Sequence, residues 1–395
     1  MKVVIKGPLR DTLAFILHLK KRNRIFRRAG MRKLAPGALN VLAEGLHPQR
    51  QLLQISEVRE ETPSSRTYCL KPANPSGRVA FFRAGQYIAI GETIGGVAVW
   101  RPFSISSSPD EALVENFYDI TIKSRRDGFY APWAAENWKP GRVLSCSAPA
   151  GNFFHEPLRD ERTIVCIAGG SGITPFRSIL KDCLKNTEDV RFFLIYGVTD
   201  PEEIIYREEL EQLGRNYSER FRMTVVYSER AAGPEDETGF ITADLIRRHV
   251  PEAEKHTFFI CGPPDMYEFL ISELDELHLS ERRLRTESYG SRSEEDKRQV
   301  VFTLSVLTRG ETVKIPAAGS ETVLTALERA GLNPPSLCRT GECGWCRSRL
   351  IDGEIYMPEK RMGLRAADAK FGWFHPCSSY PRSDMTIEVP RNPIA

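Results

Sequence analysis

The chain of 395 residues has no apolar run near the length of about 20 residues that crosses a bilayer. Its nearest approach, Leu13-Ala14-Phe15-Ile16-Leu17, is far too short. A secretory leader is also lacking, so the nine cysteines point to a reducing, cytoplasmic setting in which thiols persist and can bind metal. No internal repeat or low-complexity tract is present, which sets aside repeat architectures. The G-x-G-x-x-G nucleotide fingerprint is missing too. What is there is ordinary for a globular protein, 41% apolar and 27% charged residues, in a chain long enough for two or three domains.

Net charge is +3, unevenly spread. Residues 1–33 hold eleven lysines and arginines against the single acid Asp11, a local charge of +10, so the remaining body carries −7. Such an arm suits a solvated, partly helical tail. It also suits docking on an acidic protein, on a membrane surface as a peripheral contact, or on the acidic body itself. Nucleic acid is not expected as a partner, because the body behind the arm is acidic.

Four cysteines near the C-terminus carry the most information. Cys338, Cys343 and Cys346 follow C-x4-C-x2-C, and Cys377 lies further along. That is the thiolate spacing of a plant-type [2Fe–2S] cluster. Gly341 and Gly344 allow the loop to fold back and aim its thiolates at one point. Zinc sites favour paired knuckles or histidines, and disulfide frameworks belong to short secreted chains, so both fit less well. Backbone N–H groups around Gly341–Gly344 are the expected tuners of the cluster potential.

The rest of the chain divides by pattern. Residues 1–48 are the basic extension. Residues 49–158 hold short β-rich runs between turns, such as 86–90, 97–100 and 118–123, as in a small antiparallel barrel. Residues 159–289 alternate strands (163–167, 191–196, 223–227, 257–261) with helices, as in a parallel sheet covered on both faces. Residues 290–299 read as a polar linker. In residues 300–395 a hairpin (300–306 and 311–315), a helix at 322–330 and a closing strand at 385–389 surround the cysteine loop.

Two glycine turns follow strands in the parallel-sheet region: Ala168-Gly169-Gly170-Ser171-Gly172-Ile173-Thr174-Pro175 and Cys261-Gly262-Pro263-Pro264-Asp265-Met266. Glycines let backbone N–H groups approach a pyrophosphate at a helix N-terminus. In an open α/β sheet, ligands bind at the carboxyl ends of strands, so both turns are expected to line one crevice. In the barrel, Arg101-Pro102-Phe103-Ser104-Ile105-Ser106 ends a strand with an arginine able to clamp phosphate, an aromatic ring and a hydroxyl.

These three motifs, in this order, resemble the ferredoxin–NADP reductase superfamily. With a C-terminal cysteine loop of ferredoxin type, the chain is similar to reductase components of multicomponent oxygenases and to the NADH reductase of hybrid-cluster protein. The resemblance covers about residues 51–395. It implies a flavin barrel, a nucleotide-binding α/β domain and a β-grasp ferredoxin domain.

Carried over by residue, the resemblance implies that Arg101 holds flavin phosphate, Pro102 and Phe103 border the isoalloxazine, and Ser104 sits near its N5. Ile122, Lys123 and Gly128 would pass by the flavin diphosphate. Gly169, Gly170, Gly172, Thr174, Pro175, Gly262, Pro263 and Met266 would receive the nicotinamide dinucleotide, with Cys261 beside the hydride-donating carbon. Phe103 stands where relatives often have tyrosine, Ala131 where serine or threonine bonds phosphate, and Trp345 where a small residue lies between ligands. Tyr289 is a candidate flavin cover or a linker aromatic.

The implied activity is an NAD(P)H-driven reductase. Nicotinamide donates a hydride and the cluster accepts one electron at a time, so a flavin must stand between them. FAD is favoured over FMN by the run around Arg101. NADH is favoured over NADPH because Glu229 would repel a 2′-phosphate, although Ser228 and Arg230 could bind one. A protein electron acceptor, such as an oxygenase or another redox enzyme, is the implied partner. Alternatives are an electron-transfer subunit of a larger complex, and the reverse reaction in which a reduced carrier makes NADH.

Overall fold

The computed structural model describes residues 7–30, 37–124, 128–187, 189–230, 233, 236–288, 300–308, 310–357 and 364–392. Tyr289 and the expected linker 290–299 lie outside the described residues. The chain divides into a unit of residues 1–46 and a second unit of residues 47–395.

In the first unit, α1 (Pro8–Gly30) and α2 (Ala38–Leu46) are two exposed helices. Pro8 opens α1, where its missing N–H costs nothing, and Asp11 accepts from Gly7 N–H at 3.1 Å. The described part of the basic arm is thus helical over residues 8–30 and 38–46.

The second unit begins with six antiparallel strands: β1 (Arg50–Thr62), β2 (Ser65–Pro72), β3 (Tyr87–Ile94), β4 (Val97–Ser104), β5 (Tyr118–Lys123) and β6 (Val143–Ser147). Their order is β4-β3-β6-β1-β2-β5. A bridge from Ile105 to Ile120 joins the two ends and closes the barrel. Leu53, Ile55, Ile88, Ile90, Ile120 and Leu144 alternate inward to build its core. Two short helices, α3 (Pro109–Glu115) and α4 (Tyr130–Asn137), complete it.

Next come β7 (Thr163–Gly169), β8 (Arg191–Val198), β9 (Phe221–Tyr227), β10 (Glu237–Thr238), β11 (Thr257–Gly262) and β12 (Leu284–Ser288). They form a parallel sheet in the order β10-β9-β8-β7-β11-β12. Helices α5 (Thr174–Asn186), α6 (Arg207–Asn216), α7 (Ala243–His249) and α8 (Pro264–Asp275) connect them. Both faces of β7 and β11 are buried, in two separate cores, which explains their unbroken apolar sequence. The edge strand β12 was not expected from sequence; its polar Arg285, Thr286 and Glu287 hide a strand pattern.

The C-terminal part pairs β13 (Val301–Thr308), β14 (Glu311–Ala318), β15 (Ser348–Asp352), β17 (Trp373–Phe374) and β19 (Met385–Glu388) in the order β14-β13-β19-β15-β17. The pair β16 (Ile355–Tyr356) and β18 (Tyr380–Pro381) stands apart. Helix α9 (Val323–Arg329), capped by Thr322, packs its Val323, Ala326 and Leu327 under the sheet.

Candidate functional site

The cysteine loop lies between α9 and β15. Gly341 and Gly344 take φ of +86° and +69°, the left-handed turns that bring the thiols together. Arg339 is also left-handed, at +62°, a conformation its side chain disfavours. A buried ion pair with Glu328 on α9 holds it there.

The four thiols converge. Cys346 Sγ lies 3.4 Å from Cys377 Sγ, and Cys343 and Cys338 form a second hydrogen-bonded pair that Cys377 adjoins. Side-chain bonds from Cys343, Cys377 and the Thr340 hydroxyl, with the Cys343 N–H, outweigh burial and lower the Cys338 thiol far below its ordinary range. Two close thiol pairs give four sulfur donors, the set that a two-iron cluster would take. The donor set therefore fits a [2Fe–2S] cluster. The N–H groups of Thr340 and Cys343 point at Cys338 Sγ and that of Trp345 at Cys343 Sγ, each at 3.4 Å. The N–H groups directed at sulfur thus belong to residues 340, 343 and 345, a slightly wider span than residues 341–344. Cys343 and Trp345 are exposed, while Cys338, Cys346 and Cys377 are buried.

At the end of β4, Arg101 is largely buried, with its guanidinium 5.0 Å from the Phe129 ring centre and 5.8 Å from that of Tyr130. Its Nη1 donates to Trp100 O at 2.8 Å, and the nearest carboxylate, Glu328, is 3.7 Å away. Burial and then the charge of Arg339 lower Arg101 to about 10, so the cation is under-compensated. That is the chemistry of an anion site and fits a flavin phosphate. Phe103 is half-buried and packs on Tyr130 at 5.7 Å between ring centres. Gly128 is exposed next to Phe129, and Ala131 packs against the barrel core. Ile122 and Pro102 are buried; the Ile122 side chain belongs to the barrel core.

Beyond β7, β8, β9 and β11, at their carboxyl ends, lies a cavity of about 700 Å³. Gly169, Gly170, Gly172, Gly262, Pro263 and Met266 line it, joined by Lys123, Ser228 and Phe240. The two glycine turns thus share one crevice, as expected. Their glycines serve packing as well as access. A Cβ on Gly172 would collide with the Cys261 carbonyl oxygen, and one on Gly169 would sit 2.5 Å from Met266 Sδ. Tyr196 Oη donates to Gly170 O at 3.0 Å and steadies the turn. Lys123 leaves the barrel to pair with Glu203 at 2.7 Å. Pro175, buried at the start of α5, sets the helix entry.

Ser104 and Cys261 meet the same turn. Thr174 Oγ1 lies 3.2 Å from Ser104 Oγ, while Gly172 packs on Cys261. Burial, and then Glu287, push the Cys261 thiol well up, so it stays neutral. Glu287 is a site residue that the sequence reading missed. It is buried on β12 directly opposite Cys261 in register. Its Oε1 would lie 3.6 Å from a Cβ on Gly151, beside the Tyr87 ring. A lone carboxylate near the end of an edge strand was the available signal.

Two seams join these parts. Arg177 on α5 donates to Ser106 O and Asp119 of the barrel and to Glu209 of α6. At the second seam, Tyr87, Ala89 and Trp100 of the barrel pack on Leu337 and Cys338 of the cysteine loop. The Tyr87 hydroxyl is buried there without a hydrogen-bond partner among the described residues.

Fold and site together define a flavin- and nicotinamide-dependent oxidoreductase with an appended iron–sulfur domain. The family models agree part by part: an oxidoreductase FAD-binding domain over residues 52–155, an oxidoreductase NAD-binding domain over 166–272, and a 2Fe-2S iron-sulfur cluster binding domain over 306–382. The glycine betaine monooxygenase reductase subunit of Chromohalobacter salexigens is 26% identical over 86% of this chain and 95% of its own length. The ferredoxin reductase component of the 3-ketosteroid-9-alpha-monooxygenase of Rhodococcus rhodochrous is 27% identical over 84% and 95%. Among solved structures, phthalate dioxygenase reductase matches with a TM-score of 0.62 and 21% identity, over 87% of this chain and 98% of its own. The chain belongs to the ferredoxin–NADP reductase superfamily, in the branch with a C-terminal [2Fe–2S] domain. It is an NAD(P)H-dependent oxidoreductase that uses FAD and the cluster to transfer electrons.

Proposed function

We propose that the chain takes hydride from NADH at the turn shared by Ser104 and Cys261 and delivers electrons singly, through the cluster, to an oxygenase component. One hydride supplies two electrons and so serves two one-electron deliveries. The observation that carries this reading is the position of the cluster loop. Its buried ligand Cys338 packs on the barrel residues Tyr87 and Trp100, whereas Cys343 and Trp345 open to solvent. One end of the loop faces the electron source and the other a partner.

The domain roles follow: residues 49–158 hold FAD, 159–289 the nicotinamide and 300–395 the cluster. Arg101, Pro102, Phe103 and Gly128 belong to the flavin. Lys123, expected beside the flavin diphosphate, also lines the dinucleotide cavity, where it is paired with Glu203. NADH is favoured because Arg230 is already engaged by Glu202 at 2.9 Å and Asp200 at 3.8 Å. With Glu229 beside them, a 2′-phosphate would meet three carboxylates. A cytoplasmic setting suits the five cysteines outside the cluster loop, Cys69, Cys146, Cys166, Cys183 and Cys261, which are unpaired in the structure. The N-terminal arm, which the family models do not reach, serves attachment, including peripheral contact with a membrane surface.

Anaerobic addition of NADH to the holoprotein tests the route. Bleaching of the flavin followed by the cluster, with steady ferricyanide turnover by the isolated chain, is expected. Negligible turnover without a partner would instead make the chain a subunit only. Fast NAD⁺ reduction by a reduced carrier, with slow NADH oxidation, would favour the reverse direction.

A further inference from the structure

Helix α1 shows its apolar residues to solvent. Leu9, Leu13, Phe15, Ile16 and Leu17 are 43–82% exposed, far more than a packed helix tolerates. At 100° per residue, these five occupy a sector about 200° wide in the first half of the helix. The second half is dominated by cations, Lys20, Lys21, Arg22, Arg24, Arg27 and Arg28, with Ile25 and Phe26 exposed among them. Against Arg10 and Asp11, the helix carries a net +6. It is about 34 Å long at 1.5 Å per residue. No described helix is long and apolar enough to cross a membrane.

The arrangement selects among occupants. A protein groove takes a narrow apolar stripe repeated along the whole helix. Here Lys20, Arg24 and Arg27 return to the face that Leu9, Leu13 and Leu17 occupy, so a groove continuing that stripe would bury three cations. A lipid interface makes no such demand. Acyl chains accept a wide apolar sector, and a layer of anionic headgroups accepts cations on any side whose long stems can reach up. Helix α2 extends the same design. Its Leu39, Leu42 and Leu46 are exposed at spacings that share one face, and it contains no basic residue.

We infer that α1 and α2 form an interfacial anchor that binds membranes rich in anionic lipid, α1 lying in the interface with Leu9–Leu17 among the upper acyl chains and its Lys20–Arg28 cations on the headgroups. This rests on reading the arm as an attachment element and is independent of the electron route. Its occupant is a lipid surface, not the acceptor protein.

The test is sedimentation of the full-length holoenzyme with vesicles of phosphatidylcholine, alone or containing about one third phosphatidylserine. Binding is expected to the anionic vesicles, to weaken with salt, and to be slight on the neutral ones. Replacing Lys20, Lys21, Arg24 and Arg27 by glutamine should lower the anionic partition coefficient about 100- to 1,000-fold. Leu13→Ser with Ile16→Ser should abolish binding at high salt, where only apolar contact remains. Both variants should retain NADH–ferricyanide activity, which shows that the reductase is folded and separates this result from failure of the electron route. Absence of wild-type binding, equal binding to both vesicles, or no loss in the glutamine variant would overturn the anchor. So would arm-dependent binding to the purified acceptor with none to vesicles.

Discussion

Replacing Glu328 by glutamine removes the one carboxylate that two arginines share where the cluster domain meets the barrel. Glu328 Oε1 accepts from Arg339 Nη1, and its Oε2 lies 3.7 Å from Arg101 Nη1. The three side chains are only 6, 7 and 20% exposed. Breaking a buried pair by deleting one partner costs about 3–5 kcal/mol, because the other charge stays buried. Here two guanidinium groups would be left facing each other, and Arg339 would lose the contact that offsets its left-handed backbone.

Urea unfolding under anaerobic conditions should therefore report a loss in that range for Glu328→Gln. Cytochrome c reduction should fall more than ferricyanide reduction, since the seam carries Cys338 against Tyr87 and Trp100. A Glu328→Met, Arg339→Met double variant should recover part of the stability, since only the Arg101 charge then stays buried without its carboxylate. Equal stability of wild type and Glu328→Gln, with an unchanged ratio of the two activities, would refute the claim that this triad docks the domain.

Cys343→Ser should remove the cluster signals in visible circular dichroism and electron paramagnetic resonance and collapse cytochrome c reduction, while ferricyanide reduction persists. Gly172→Ala should weaken NADH binding and cost about 1–3 kcal/mol, as its Cβ drives the turn off the Cys261 peptide; calorimetric titration and thermal unfolding check both. Burial would raise the Asp160 carboxyl, but the nearby His155 and bonds from Arg159 and the Glu156 N–H outweigh it and hold it well below the usual range. Its stabilisation is thus present at neutral pH and is lost as pH falls below about 4. Asp160→Asn should flatten the acid limb of the stability profile; an unchanged limb would assign it to other groups.

Much of this protein was legible in its sequence because local rules suffice for it. C-x4-C-x2-C fixes which thiols are neighbours, and the observed φ of Gly341 and Gly344 is what that loop demands. Unbroken apolar runs such as Ile164–Ala168, alternating with helical stretches, read as buried parallel strands, so the nucleotide sheet and the crevice at its strand ends followed. The contacts that join the parts were not legible. Glu287 reaches Cys261 only because β12 adds to the sheet edge beside β11, 26 residues after the cysteine. Arg101, Glu328 and Arg339 come from two domains more than 200 residues apart, and nothing in the run around Arg101 announces an acidic neighbour. Spacing along a chain specifies a ligand loop or a turn, but a charge buried between domains is specified by the surfaces that meet there. Which cofactors the chain needs was therefore written in its motifs, whereas how the barrel and the cluster face each other was decided by tertiary packing alone.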